Sequence, residues 1–128
     1  MSYIKLDDVT EEHLIGAWVV KNRQANSSNV GQLFARCNCL KFQKNNSFAT
    51  TTQDGKRNKG NWQIVREREV IYNPQVRFNI GKNQLINSII TNLMEEDETH
   101  LKLILYFDSG VELVLEKEKS KDVCRKSK

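Results

Sequence analysis

The chain has 128 residues, of which 38% are hydrophobic and 28% charged, which suits one domain with a core and excludes two. Mean hydropathy is −0.61 and the apolar runs span only a few residues, so no transmembrane helix is predicted. The formal charge of +4 is local: residues 117–128 hold six Lys or Arg against Glu118 and Asp122, and the rest of the chain is neutral. Phosphate recognition needs a basic excess on a folded face, so the body is not a nucleic-acid binder. Residues 119–128 read as a basic, flexible tail.

The chain opens without a cationic start followed by an apolar stretch, so no signal peptide is predicted as written. A cytoplasmic protein is expected, with a secreted or periplasmic one as the alternative if the N-terminus has been trimmed. Asp8 and Glu11 are spaced as a capping box over a short helical turn, which Gly16 ends. From there to about Glu118 the period is two, the pattern of half-buried strands.

Residues 17–24 place Trp18 and Val20 on one face. The connection 22–32 is the longest in the chain. Residues 36–43 place Asn38, Leu40 and Phe42 on one face and Cys37 and Cys39 on the other. Asn45-Asn46 turns the chain into 47–52, which carries Phe48. After the polar segment 53–60, residues 61–67 alternate Trp62 and Ile64 with Asn61 and Gln63. Arg66 shares the parity of Trp62; inside it would need an anionic partner, so a place in solvent at the strand end is expected. A short strand over 68–72 stops at Asn73-Pro74, because proline donates nothing to a ladder.

Val76, Phe78 and Ile80 alternate up to a turn at Gly81. Residues 85–91 are apolar on both faces except for Asn87 and Ser88. The acidic turn 95–98 leads into Leu101, Leu103, Leu105 and Phe107. Asp108-Ser109-Gly110 then forms a tight hairpin into Val111, Leu113 and Leu115. About eight to ten short strands in sequential order predict an all-β fold over residues 1–118. It is a single antiparallel up-and-down β-barrel with a short N-terminal helical turn. A β-sandwich is the alternative, but a Greek key needs a long crossover.

Cys37, Cys39 and Cys124 make an odd count with no disulfide framework, which suits a reducing compartment. Neither His13 nor His100 belongs to a nucleophile or metal motif, and no glycine-rich phosphate loop precedes a helix. No enzyme activity, metal or cofactor is expected.

The helical turn running into Gly16-Ala17-Trp18 resembles the opening of the calycin superfamily, which includes the lipocalins and fatty-acid-binding proteins. Phe42 before the Asn45-Asn46 turn, Phe48 after it, Gly60-x-Trp62-x-Ile64 and Gly110-x-x-Leu113-x-Leu115 are similar to bacterial lipocalin-like domains of this length. The resemblance covers about residues 12–118. It implies a barrel whose closed end holds Gly16 and Trp18. Lipocalins place an Arg from the last strand over that Trp, where this chain offers only Lys117 or Lys119. The helix-turn-helix and the Arg-x-Tyr clamp of fatty-acid-binding proteins are absent.

Leu40, Phe42, Phe48, Trp62, Ile64, Tyr72, Phe78, Leu103, Leu105 and Leu113 are the candidate ligand-binding residues, lining the barrel around a small apolar, lipid- or pigment-like molecule. The same residues would also fill an eight-stranded barrel outright, leaving a protein that acts through its surface. Both readings stand at this point.

Overall fold

A computed structural model describes residues 2–25, 33–66, 73–81, 84–97 and 100–118. Eight strands pair in sequence order: β2 (Gly16–Gln24), β3 (Cys37–Phe42), β4 (Ser47–Thr52), β5 (Arg57–Val65), β6 (Gln75–Ile80), β7 (Gln84–Glu95), β8 (His100–Phe107) and β9 (Glu112–Glu118). Every neighbouring pair is antiparallel, and β9 pairs back onto β2 from Val19↔Glu116 to Gln24↔Glu112. The ring therefore closes as an up-and-down barrel, and the sandwich is set aside. A short β1 (Ser2–Tyr3) adds to β7 outside the ring. The 3₁₀ turn Leu6–Asp8, α1 (Glu11–Leu14) and α2 (Leu33–Arg36) complete the described elements. The expected strand 68–72, with Tyr72, and the tail 119–128 lie outside the described residues.

Alternation predicts most strands, because side chains on a pleated strand point to opposite faces in turn. Phe48, Thr50 and Thr52 are buried on β4 while Ser47, Ala49 and Thr51 are half-buried. Leu101, Leu103, Leu105 and Phe107 alternate in the same way on β8. Pairing moves some ends. β5 begins at Arg57 rather than 61, because Arg57 to Lys59 pair with Thr51 to Ala49. β7 runs twelve residues to Glu95, since it pairs first with β6 and then with β8.

Three register shifts change which residues face inward: between Val20 and Asn22, between Cys37 and Cys39, and between Ile90 and Asn92. An extra residue in one strand turns the residues beyond it to the opposite face. Cys37 therefore pairs with Thr52 and joins the core, whereas Cys39 pairs with Thr51 on the outer face. The expectation that the two cysteines share a face is corrected. On β2 the same device places Arg23 opposite the inward Leu113.

The N-terminal lead covers one end of the barrel. β1 sets Tyr3 beside Met94, and the Ile4 amide donates to Leu93 O at 2.9 Å. Val9 and Leu14 are buried in the core. The cap of α1 differs from the expected one. The Thr10 amide donates to His13 Nδ1 at 3.0 Å, and Asp8 lies in the preceding 3₁₀ turn.

The end of such a turn leaves carbonyls without helical partners. Here strand side chains supply them. Trp18 Nε1 donates to Leu14 O at 2.8 Å, and Lys117 Nζ donates to His13 O at 3.0 Å and Ile15 O at 2.7 Å. Lys117 also lies 4.9 Å from the centre of the Trp18 ring, a cation over an aromatic face. Lys117 thus takes the place over Trp18 that the resemblance gives to an Arg. Arg66 is half-buried rather than solvated, donating to Leu6 O and Val9 O. Neutral carbonyls, rather than the anionic partner that an inward Arg was argued to need, meet its guanidinium.

Candidate functional site

The interior of the barrel is the candidate site. Leu40, Phe42, Phe48, Trp62, Phe78, Leu103, Leu105 and Leu113 are all buried and belong to one core cluster. Ile64 is half-buried against it. Of the ten residues expected to line the interior, only Tyr72 is outside the described chain. Gly16 and Trp18 stand at the covered end, with Trp18 fully buried. Gly16 has φ of +134°, and a Cβ there would meet Lys117 Cδ at 2.7 Å, so glycine lets the lysine cross the start of β2.

Aromatic rings dominate the inside. Phe42 meets Trp62 edge-on with ring centres 4.7 Å apart, and Phe48 meets Phe78 in the same manner at 5.0 Å. Such contacts add to simple burial. A further ring enters from the end opposite α1. Phe34, on α2, sits 4.6 Å from both Phe78 and Phe107, nearly parallel to the latter at 24°, and 6.2 Å from Phe48. Alternation does not reveal it, because α2 has no period of two. The available signal was the apolar Leu33-Phe34-Ala35 run beside a polar connection.

Arg23 holds that turn. Its guanidinium donates to Ala35 O at 3.0 Å, Cys37 O at 2.8 Å and Asn38 Oδ1 at 3.2 Å. Nearby, the Asp54 carboxyl is held below its usual range, first by the Thr52 hydroxyl and then by the Lys56 amide. Among the described residues, the buried polar side chains include those of Thr50 and Ser88. Ser88 Oγ donates to Val76 O at 3.0 Å, whereas Thr50 Oγ1 is buried with no hydrogen-bond partner among the described residues.

Comparison with known protein-family models, curated proteins and solved structures found no match. The closed eight-stranded antiparallel barrel is itself consistent with a calycin-like fold.

The described residues contain no group of three or more His, Cys, Asp or Glu placed to hold a metal ion. His13 serves the α1 cap, and His100 Nδ1 lies 3.1 Å from Asp97 at the β7–β8 turn. No described helix is long and apolar enough to cross a membrane.

Cys37 is free and buried, and burial pushes its thiol from 9.0 up to about 12, with Arg23 opposing the shift. Cys39 is disulfide-bonded. The raised thiol has a consequence in alkali. Between pH 9 and 12 the unfolded chain releases the Cys37 proton while the folded chain keeps it. Stability therefore falls as pH rises through this window, by at most about 1.4 kcal/mol per pH unit. Urea midpoints of the wild type and Cys37→Ala should converge across the window. Parallel profiles would show that the thiol titrates normally.

Proposed function

We propose that the protein binds a small hydrophobic molecule inside the barrel. The observation that carries this reading is the difference between the two ends. At the α1 end, Trp18, Arg66 and Lys117 donate to five carbonyls of the N-terminal lead. At the other end, the described cover is a four-residue turn that carries Phe34 into the interior and is tied by Arg23 to Ala35 O and Cys37 O. A barrel tied at one end by five such bonds, with one short turn as the described cover of the other, has the form of a ligand container. Leu40, Phe42, Phe48, Trp62, Ile64, Tyr72, Phe78, Leu103, Leu105 and Leu113 are the proposed lining. The resemblance of the sequence to bacterial lipocalin-like domains supports this reading.

A fluorescent fatty-acid analogue should gain intensity on binding. Leu103 is fully buried on β8, and Leu103→Trp puts a bulkier ring into the same space. The variant should lose the gain while its near-UV circular dichroism still reports a packed fold, at a stability cost of about 1–3 kcal/mol. Undiminished binding by that variant places the probe outside the barrel. Native mass spectrometry of protein from its source tests the same reading through any co-purified apolar molecule.

A second reading is a filled barrel that acts through its surface. The closely packed aromatic interior favours it, as do Leu85 and Tyr106, which are 56% and 44% exposed on the outer wall. If no apolar probe enters the barrel, this reading takes the place of the first.

A further inference from the structure

Among the described residues, Phe34 differs from every other buried ring in how it is held. Trp18, Phe42, Phe48, Trp62, Phe78 and Phe107 stand on strands of the closed barrel, so moving any of them disrupts a ladder. Phe34 stands on α2, a single turn too short to sustain itself as a helix. The turn is fastened by the Arg23 contacts and by the Gln53 amide donating to Arg36 O at 3.3 Å. Withdrawing the ring breaks no strand pairing of the barrel. Its main cost is the apolar contact of one phenyl group, which another flat ring in the same place restores.

The second observation is Thr50. Its residue is 1% exposed and its hydroxyl has no hydrogen-bond partner among the described residues. A buried polar group left unsatisfied is costly, and natural interiors seldom keep one. Thr50 lies on the same wall as Phe48, two residues and about 7 Å nearer the α2 end. The Phe34 ring comes from that same end to within 6.2 Å of Phe48. A ring held on a short turn and an unused hydroxyl therefore both lie toward the α2 end of the interior.

Resting on the binding reading above, we infer that this part of the interior takes a neutral planar aromatic molecule with one hydroxyl or carbonyl group. Its ring replaces that of Phe34 between Phe78 and Phe107, and its polar group bonds with the Thr50 hydroxyl. A neutral ligand fits because the nearby cation, Arg23, already donates to Ala35 O and Cys37 O. The threonine hydroxyl both donates and accepts, so it suits either polar group.

The test measures calorimetric affinities of 2-naphthol and naphthalene for the wild type, Phe34→Ala and Thr50→Val. The wild type should bind 2-naphthol. Phe34→Ala should bind both probes tighter, by roughly tenfold or more, because the competing ring is gone. Thr50→Val should weaken 2-naphthol by about tenfold and leave naphthalene unchanged, the loss of one buried hydrogen bond. If Phe34→Ala does not fold, Phe34→Leu takes its place and should show a smaller gain of the same sign.

Unchanged or weaker binding by the Phe34 variant overturns the inference, since the ring is then a wall of the site. Binding by that variant without binding by the wild type also overturns it, because the ring is then a permanent filler. So does a Thr50→Val effect that is equal for the two probes or zero for both. If the fatty-acid analogue still enters the wild type in any of these cases, the general binding reading survives and only the inference falls. If no probe of either kind binds, both fall.

Discussion

Trp18→Ala is expected to cost about 3–5 kcal/mol of stability, read from urea unfolding. The indole is fully buried, so its loss leaves a large cavity at the covered end of the barrel. The effect extends beyond volume. Trp18 Nε1 satisfies Leu14 O, and the ring face carries the Lys117 ammonium that holds His13 O and Ile15 O. Removing the ring loosens the lysine, and with it the tie between β9 and the N-terminal lead. The amides of residues 13–15 should then exchange faster than those of β8. A stability change within about 0.5 kcal/mol, the range usual for surface substitutions, would contradict this role for the Trp.

Gly60→Ala is expected to cost about 3 kcal/mol or more, at the upper end of overpacking, or to prevent folding. Gly60 pairs with Phe48 in β5, on the same parity as the inward Trp62. A Cβ there would lie 1.9 Å from the backbone oxygen of Asn79 and 3.0 Å from Phe48 Cε2. The first obstacle is backbone, so no side-chain rotation relieves it and β5 must part from β6. Glycine within a strand often marks such a close backbone approach. Gly55→Ala is the control: at φ +87°, with nothing within 4 Å of the new Cβ, it meets only a backbone penalty of about 1–2 kcal/mol. Equal losses at the two sites would show that the clash is absent.

The alternating residues of β4, β6, β8 and β9 were legible in the sequence because a strand exposes its faces in turn whatever strand it pairs with. From that alternation come the all-β class, the sequential order of the strands and nearly all of the inward-facing apolar residues. Arg23, Cys37 and Cys39 were not legible, because a bulge depends on the neighbouring strand's register, and one extra residue reverses the faces beyond it. Lys117 was visible as a candidate over Trp18, but its bonds to His13 O and Ile15 O span more than a hundred residues. Arg66 misled for a related reason. Its partners are carbonyls of the lead, and no side chain in the sequence marks them.

The sequence by itself therefore determined the strands, their order and the apolar face of each. Those features follow from local backbone geometry and burial of every second residue. Strand number and the resemblance led to the expectation of a closed barrel with Trp18 at its covered end. Only the tertiary structure decided which residues pair β9 with β2, that Arg66 and Lys117 tie the N-terminal lead down, and that Phe34 enters the other end. Closure and end-covering depend on which distant groups satisfy one another's hydrogen bonds and fill one another's space, and a one-dimensional pattern does not carry that pairing.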